Sequence, residues 1–227
     1  MHCLTAILDK EVFGVSYREI LEASMLNAEK FGYRYTVVPL EDAGLTKLDM
    51  LTNSWKPEVI RWGLEDTEED EILCWLDADT YLLRPFDDFG DFDVALTKGF
   101  RRIEYRSFYY LNAGVIFARP TPAAKHFFHK WMRQQARKYH KNDEGNLKII
   151  IDRYCESIDD IEELMVEETL VKILPATTYN AHLDDASERD GSIPYIKHFV
   201  GDEKKKFRTF IHLLTGKGED NVQEMVI

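Results

Sequence analysis

Two aspartates separated by one residue, Asp77 and Asp79, directly follow the apolar segment Ile72–Leu76. Residues at positions i and i+2 of an extended chain point the same way, so both carboxylates would project from one side of the strand end. Carboxylates are costly to bury unpaired, and such hard oxygen ligands suit Mg²⁺ or Mn²⁺, which proteins usually bind together with substrate phosphates. In a chain with 41 Asp and Glu residues the pair alone is a weak signal, and taken without its context it is better explained by a solvated turn.

The surrounding sequence alternates between strand-like and helix-like segments. Short apolar, β-branched or aromatic runs predict strands at Leu4–Leu8, Tyr33–Leu40, Ile72–Leu76, Val94–Thr97, Ala113–Ala118, Val171–Leu174 and Ile196–Phe199. Helices are predicted over Ser16–Lys30, from Pro57 to Leu64, from Pro122 onward and near Leu147–Tyr154. This alternation is typical of an α/β fold with a mostly parallel sheet covered by helices on both faces. Ligands of such sheets bind beyond the carboxyl ends of the strands, where the two aspartates lie.

Length and composition favour one globular domain. The chain has 227 residues, of which 44% are hydrophobic, and no apolar run approaches the roughly 18 residues of a membrane span. The residues after Met1 lack the basic start and the cleavage site of a signal peptide. Three widely spaced cysteines favour a reducing, cytoplasmic location over a disulfide scaffold or a zinc site. The sequence does not indicate an oligomeric state.

Charge is distributed unevenly along the chain. Residues 98–141 contain eleven Lys or Arg and one acidic residue, so they carry +10 in a chain whose net charge is −12. In the helix from Pro122, Phe127 and Trp131 lie on an apolar face that we expect to pack in the core, and a basic row lies on another: Lys125, His129, Arg133 and Arg137. Like charges at i, i+4 cost about 0.2–0.5 kcal/mol per pair. Either the acid-rich segment 156–168 offsets the repulsion within this basic row, or a polyanion such as nucleic acid or an anionic lipid surface offsets it.

Five segments, in order, resemble motifs of nucleotide-sugar-dependent glycosyltransferases of the GT-A fold, most closely glycosyltransferase family eight. They are Trp55–Leu64 (K-P-x-x-I-x-x-A-L), Trp75–Thr80 (L-D-A-D), Leu111–Val115 (N-A-G/S-G-V), Asp143–Leu147 (D-Q-x-x-L-N) and His198–Lys204 (H-F-x-G-x-x-K). The resemblance spans about residues 1–207, and the second and last motifs together are more specific than either alone. It implies a single Rossmann-like GT-A domain over residues 1–227, with a nucleotide and metal half at about 1–100 and an acceptor half at about 101–227.

The resemblance also implies roles for individual residues. Asp77, Asp79 and His198 would bind Mn²⁺ or Mg²⁺, which neutralises charge as the sugar–phosphate bond breaks. Residues implied in binding the nucleotide-sugar donor are Asp9, Lys56, Arg61, Asp77, Asp79, Gly201 and Lys204. The implied catalytic group consists of Asn112, Asp143 and Glu144, of which the first two would hold hydroxyls of the donor sugar.

The sequence departs from the family pattern in three places. The first strand ends in Leu8-Asp9-Lys10 rather than T-N-D, and the last motif lacks its final P-W after Lys204. Glu144 replaces the family's Gln at the position facing the anomeric carbon, where a carboxylate could be a nucleophile or a general base. In retaining family members attack from the front face, assisted by the leaving phosphate, is the favoured route, and we expect retention here. Asp77 and Asp79 are expected to face the ligand and not to contribute to the core.

Three functions remain open at this point. The leading hypothesis is a metal-dependent glycosyltransferase that uses a UDP-sugar, with a saccharide, a glycolipid or, less commonly, a hydroxymethylated DNA base as acceptor. A sugar-1-phosphate nucleotidyltransferase is a second hypothesis, although such enzymes usually need a glycine-rich loop after the first strand and residues 9–14 contain one glycine. The third is a non-catalytic sugar-nucleotide-binding module, which the intact Asp77, Asp79 and His198 disfavour.

Overall fold

The structure is a computed structural model that describes residues 1–7, 11–12, 15–40, 53–87, 90–103, 106–137, 142–181, 193–199 and 207. Its strands are β1 (His2–Ile7), β2 (Glu11–Val12), β3 (Val15–Ser16), β4 (Arg34–Pro39), β5 (Leu73–Leu76), β6 (Thr80–Leu82), β7 (Val94–Ile103), β8 (Arg106–Ala118), β9 (Glu163–Val166), β10 (Thr169–Pro175) and β11 (Ile196–His198). Its helices are α1 (Tyr17–Lys30), α2 (Lys56–Glu65), α3 (Pro122–Arg137), α4 (Asp143–Ile151) and α5 (Ala176–Tyr179). Among the described residues, no helix combines the length and the apolar composition that a membrane span requires.

A mixed sheet of seven strands forms the centre of the molecule, in the order β4-β1-β5-β8-β7-β10-β9. Strands β4, β1 and β5 pair in parallel, as do β7 and β10, whereas β8 and β9 pair antiparallel to their neighbours. Five of the seven strands therefore run in one direction. The prediction of an α/β fold with a mixed, mostly parallel sheet flanked by helices is confirmed.

Alternate residues of the central strands feed two separate cores. On β5, Leu73 and Trp75 pack with residues of α2, α3 and α4, whereas Cys74 and Leu76 pack into a second cluster that includes Ala28 of α1. Successive side chains of a strand point to opposite faces, so a strand covered on both sides must be apolar throughout. The predicted packing of Phe127 and Trp131 in the core is confirmed, since both are fully buried in the first cluster.

Several elements extend beyond the sequence-based prediction. Strands β7 and β8 form one long antiparallel hairpin whose pairing continues to Ile103 and Arg106, so part of the basic segment is a β-hairpin. Its outer half was not predicted, because cross-strand hydrogen bonds and not local sequence preference decide its conformation. Helix α4 begins at Asp143 and not near Leu147, because the side chain of Asn142 caps it by accepting a hydrogen bond from the Gly145 amide.

Candidate active site

Asp77 is held at the end of β5 by four hydrogen bonds. The Trp75 indole Nε1 donates to Asp77 Oδ1 at 2.8 Å, and the Asp77 amide donates to the Gly114 carbonyl on β8 at 2.8 Å. Thr80 closes the following turn, because its amide and its hydroxyl both donate to the Asp77 carbonyl. The position of this carboxylate is therefore determined by the sheet itself.

Lys56 binds two carboxylates from a buried position at the start of α2. Its Nζ lies 2.9 Å from Asp77 Oδ1 and 2.6 Å from Asp143 Oδ2, and it also donates to the Ala113 carbonyl at 3.1 Å. Burial would lower the pKa of Lys56, but Asp143 and Asp77 outweigh it and raise this pKa above its ordinary value. Asp77 lies outside the buried core, as expected, but it is one of two counter-ions of a lysine that is only 2% exposed, so it also supports the local structure.

A short two-stranded pairing brings His198 to Asp79 across 119 residues of sequence. Strand β11 pairs antiparallel with β6, which places His198 opposite Thr80, and the Phe199 amide donates to the Asp79 carbonyl at 2.9 Å. One ligand atom from each of Asp77, Asp79 and His198 lies within 4.8 Å of the others. The structure thus brings together the three residues for which a metal-binding role was predicted.

A chain of hydrogen bonds determines which ring nitrogen of His198 carries a proton. The Gly114 amide donates to Asn112 Oδ1 at 2.7 Å, so the atom of Asn180 that lies 2.7 Å from the same oxygen must be its Nδ2 donor. Asn180 Oδ1 therefore faces His198 Nδ1, 2.9 Å away, and accepts its proton. In neutral His198 this leaves the Nε2 lone pair facing outward, toward Asp79 Oδ1 at 3.1 Å.

This arrangement fits a divalent cation. The Nε2 lone pair and a carboxylate oxygen are both acceptors, so their approach to 3.1 Å is favourable only with a proton or a metal ion between them. One imidazole and two carboxylates form a hard donor set of the kind that Mn²⁺ and Mg²⁺ accept. Asp77, Asp79 and His198 therefore have the chemistry and the proximity that a metal centre requires.

The imidazole of His198 packs directly against Gly114, which has no side chain to block it. A Cβ atom on Gly114 would lie 2.4 Å from His198 Cε1 and 2.8 Å from His198 Nδ1, which is closer than side-chain atoms approach. Glycine at this position of β8 is thus explained by the imidazole that packs against it. Any larger residue would displace the ring from Asp79.

The three predicted catalytic residues lie beside this cluster. Asp143 is buried against Lys56, and Asn112 is buried in the hydrogen-bond chain to His198. Glu144 accepts a hydrogen bond from the Ala113 amide, and burial, followed by the charge of Asp143, raises the pKa of its carboxyl above the ordinary value. The structure places all three near Asp77, and their catalytic roles remain predictions.

The remaining predicted donor-binding residues are not part of the cluster. Arg61 forms an ion pair with Glu65, four residues later on α2, and the described contacts do not bring it to Asp77. Asp9, Gly201 and Lys204 lie outside the described residues. The ammonium group of Lys56 already bonds to Asp77, to Asp143 and to the Ala113 carbonyl. Lys56 would therefore support binding of the nucleotide sugar indirectly, by positioning these two carboxylates.

Two residues of the site were missed by sequence reasoning. Trp75 could have been found, because it lies two residues before Asp77 on the same strand and must point to the same side. Asn180 had no local signal, since it follows the four-residue helix α5 and matches no motif. Its contacts reach Thr97, Asn112 and His198, which only the tertiary structure brings together.

Comparisons with known proteins identify the family and the fold of the chain. The family model described as nucleotide-diphospho-sugar transferase matches residues 73–207, which is more than half of the chain. A glycosyltransferase involved in the glycosylation of the major capsid of PBCV-1 superposes with a TM-score of 0.65 at 13% identity, over 92% of this chain and 98% of that chain. The galactosyltransferase LgtC, in complex with donor and acceptor sugar analogs, gives a TM-score of 0.52 at 14% identity, over 100% of this chain and 95% of that chain. No curated protein sequence matches significantly.

The matched region includes Asp77, Asp79, Glu144 and His198. At these identities the likeness to the solved structures establishes the fold, and it confirms the GT-A architecture predicted from the motifs. The predicted resemblance to family eight is likewise confirmed by the family model. This chain belongs to the nucleotide-diphospho-sugar transferase family.

Proposed function

We propose that this protein is a metal-dependent glycosyltransferase that moves a sugar from a UDP-sugar to a hydroxyl group of a saccharide or glycolipid. The observation that carries the proposal is the clustering of Asp77, Asp79 and His198 within 4.8 Å of one another at the carboxyl end of β5. This edge of an α/β sheet is where such folds bind their ligands. A nucleotidyltransferase is disfavoured by the family match, and the preserved cluster argues against a non-catalytic module.

The roles of the residues follow from their contacts. Asp77, Asp79 and His198 would hold Mn²⁺ or Mg²⁺, which when bound stabilises the negative charge on the leaving diphosphate. Lys56 binds the carboxylates of both Asp77 and Asp143, so it holds these two groups at a fixed distance from each other. Lys56 also bonds Asp143 through Oδ2, and we propose that the other oxygen of this carboxylate accepts a hydrogen bond from a sugar hydroxyl.

The proposal is tested by a thermal-shift panel of nucleotide sugars with and without Mn²⁺, using the Asp79→Asn variant as control. We expect a UDP-sugar and Mn²⁺ together to stabilise the protein, because a ligand at 100 times its Kd adds about 2.7 kcal/mol. The variant should lose this stabilisation. If no UDP-sugar stabilises the protein, or if a sugar 1-phosphate with a nucleoside triphosphate does so instead, the proposed function is wrong.

We further propose that the anomeric configuration is retained and that attack occurs from the front face. Glu144 lies one residue after Asp143 and is drawn toward β8 by the Ala113 amide. Its carboxyl, whose pKa burial raises, would then position the acceptor and not form a covalent intermediate. Proton NMR of the first product tests this directly, since an inverted linkage contradicts it.

Glu144→Gln separates the two possible roles of this carboxylate. With attack from the front face the variant should keep turnover within about tenfold, whereas loss of a nucleophile would cost far more. Because the pKa of Glu144 is raised, its ionisation destabilises the fold as pH rises through that pKa. The variant should thus be more stable than the wild type at pH 7, but not at pH 4. A change of 1 kcal/mol moves the Tm of a domain of this size by about 2–4 °C, so calorimetry at both pH values will detect the difference.

Asn180 is proposed to set the tautomer of His198. Asn180→Leu removes the acceptor for Nδ1–H, so the imidazole proton should move to Nε2 and donate to Asp79, which blocks the metal-binding lone pair. We expect Mn²⁺ affinity, measured by electron paramagnetic resonance, to fall about 10–100-fold, the usual effect of removing a partner of a metal ligand. Thr97→Val is the matched control, because it removes the other acceptor of Asn180 Nδ2 and leaves the bond to His198. Equal affinities of the two variants, or an unchanged ¹⁵N signature of His198 in Asn180→Leu, would contradict this role.

The acceptor is proposed to be a saccharide or glycolipid and not DNA. The described part of the basic segment divides between the β7–β8 hairpin and α3, so its charges belong to two separate elements. A salt titration distinguishes the alternatives, because DNA affinity falls by orders of magnitude between 50 and about 200 mM salt when several phosphates are contacted. Saccharide binding should change little over the same range.

A further inference from the structure

A basic cleft on the outer side of α3 contains none of the residues of the candidate active site. Four cationic side chains line it, Lys130, Arg133, Arg137 and Arg153, against the single carboxylate of Glu167. The whole chain carries a net charge of −12, so this cleft is a region of opposite sign. Concentrating like charges costs free energy, and a counter-ion must offset that cost.

One end of the cleft is neutralised from within. Glu167 forms an ion pair with Lys130, accepts a hydrogen bond from the Tyr154 hydroxyl at 3.1 Å and lies 3.3 Å from His126 Nε2. Glu167 adopts a left-handed backbone conformation with φ of 57°, which is unfavourable for a residue other than glycine. These contacts keep its carboxylate at the cleft, and they show that this face accommodates an oxyanion.

The other end lacks such a partner. Among the described residues, Arg133, Arg137 and Arg153 form no ion pair with a carboxylate, and the acid-rich segment 156–168 contributes only Glu167 to the cleft. Arg153 Nη2 donates to Gln134 Oε1 at 3.1 Å, which orients its guanidinium beside α3. The acid-rich segment 156–168 therefore neutralises the basic charges at only one end of the cleft.

We infer that this end binds a phosphate group carried by an anionic saccharide acceptor, an inference that rests on the proposed function. Guanidinium groups match phosphate oxygens in a two-pronged geometry, and three of them line this end of the cleft. Helix α4 begins at Asp143 in the candidate active site, and Arg153 follows its last turn, so the cleft lies about 15 Å from the site along the helix axis. A phosphate at this distance would orient an acceptor chain whose hydroxyl reaches the donor sugar.

The test is isothermal titration calorimetry with glucose 6-phosphate, inorganic phosphate and glucose, in the absence of divalent metal and donor. We expect saturable 1:1 binding of glucose 6-phosphate, weaker binding of inorganic phosphate and no binding of glucose. The double variant Arg133→Gln/Arg153→Gln should weaken glucose 6-phosphate binding at least tenfold. The control, Lys125→Gln/Lys148→Gln, removes the same charge from α3 and α4 outside the cleft and should change the affinity less than twofold.

Three results would overturn the inference. They are the absence of saturable phosphate binding, an equal loss in both double variants, and binding of a single-stranded oligonucleotide through these arginines when glucose 6-phosphate does not bind. The last result would mean that the cleft serves a nucleic acid. Because the titration needs neither metal nor UDP-sugar, its failure is distinguishable from failure of the proposed function, which the thermal-shift panel tests.

Discussion

Asp79→Asn is expected to reduce turnover by about 10²–10³-fold, the range found when one group that stabilises charge in a transition state is removed. An amide offers a neutral oxygen in place of an anionic one, so the variant should also bind Mn²⁺ more weakly. The described ion pairs of Lys56 are with Asp77 and Asp143, and the backbone carbonyl of Asp79, which accepts from Phe199, is unchanged by the substitution. Turnover of the UDP-sugar and Mn²⁺ titration by electron paramagnetic resonance measure the two effects.

The Tm of the variant shows whether its loss of turnover comes from the chemistry or from unfolding. The Tm of Asp79→Asn should stay within about 2 °C of the wild type, which corresponds to less than about 1 kcal/mol for a domain of this size. Asp77→Asn is the informative comparison, because it removes a counter-ion of the buried Lys56 and should lose both turnover and stability. If Asp79→Asn turns over at the wild-type rate, the metal-binding role of this carboxylate is wrong.

Lys56→Met is expected to destabilise the protein by about 3–5 kcal/mol, the cost of removing one partner from a buried ion-pair group. The substitution keeps the volume of the side chain but leaves the carboxylates of Asp77 and Asp143 facing each other without the intervening ammonium. Because the pKa of Lys56 is raised, the ammonium stays charged at all pH values below its ordinary pKa, and its contribution is lost only in strong base. Urea unfolding at pH 7 and pH 9 should give the same difference between variant and wild type.

Lys148→Met provides the matched control. Lys148 lies on α4 and forms an ion pair with Asp152 at 2.6 Å, as short as the pair between Lys56 and Asp143, but its side chain is 56% exposed. Exposed ion pairs contribute at most about 1 kcal/mol, so this variant should unfold near the wild-type midpoint. A second substitution, Asp143→Asn, should recover part of the stability lost in Lys56→Met, because it removes one unpaired charge. If Lys56→Met and Lys148→Met lose similar free energies of unfolding, the buried ion pairs of Lys56 contribute no more to stability than the exposed pair of Lys148.

Much of the architecture follows from local sequence patterns. The segment Ile72–Leu76 is apolar at every position because its residues alternate between two buried faces, and this pattern by itself identifies a central strand. The Asp77 and Asp79 pair follows that strand directly, so sequence also predicts the edge of the sheet where ligands bind. Helix α3 was predicted from the 3.6-residue spacing of Phe127 and Trp131, which the core confirms.

Local sequence determined the central strands, the four longer helices and the aspartate pair at the sheet edge, since each depends on residues within a few positions of one another. The tertiary structure alone decided that Asp79 meets His198, that Asn180 contacts the imidazole of His198 and that Lys56 joins Asp77 to Asp143. These contacts link side chains up to 119 residues apart, and they depend on the pairing of β6 with β11 and on the packing of α2 and α4 beside β8. Periodicity carries no information about such pairings, because it records which face of an element is buried and not which distant element covers it.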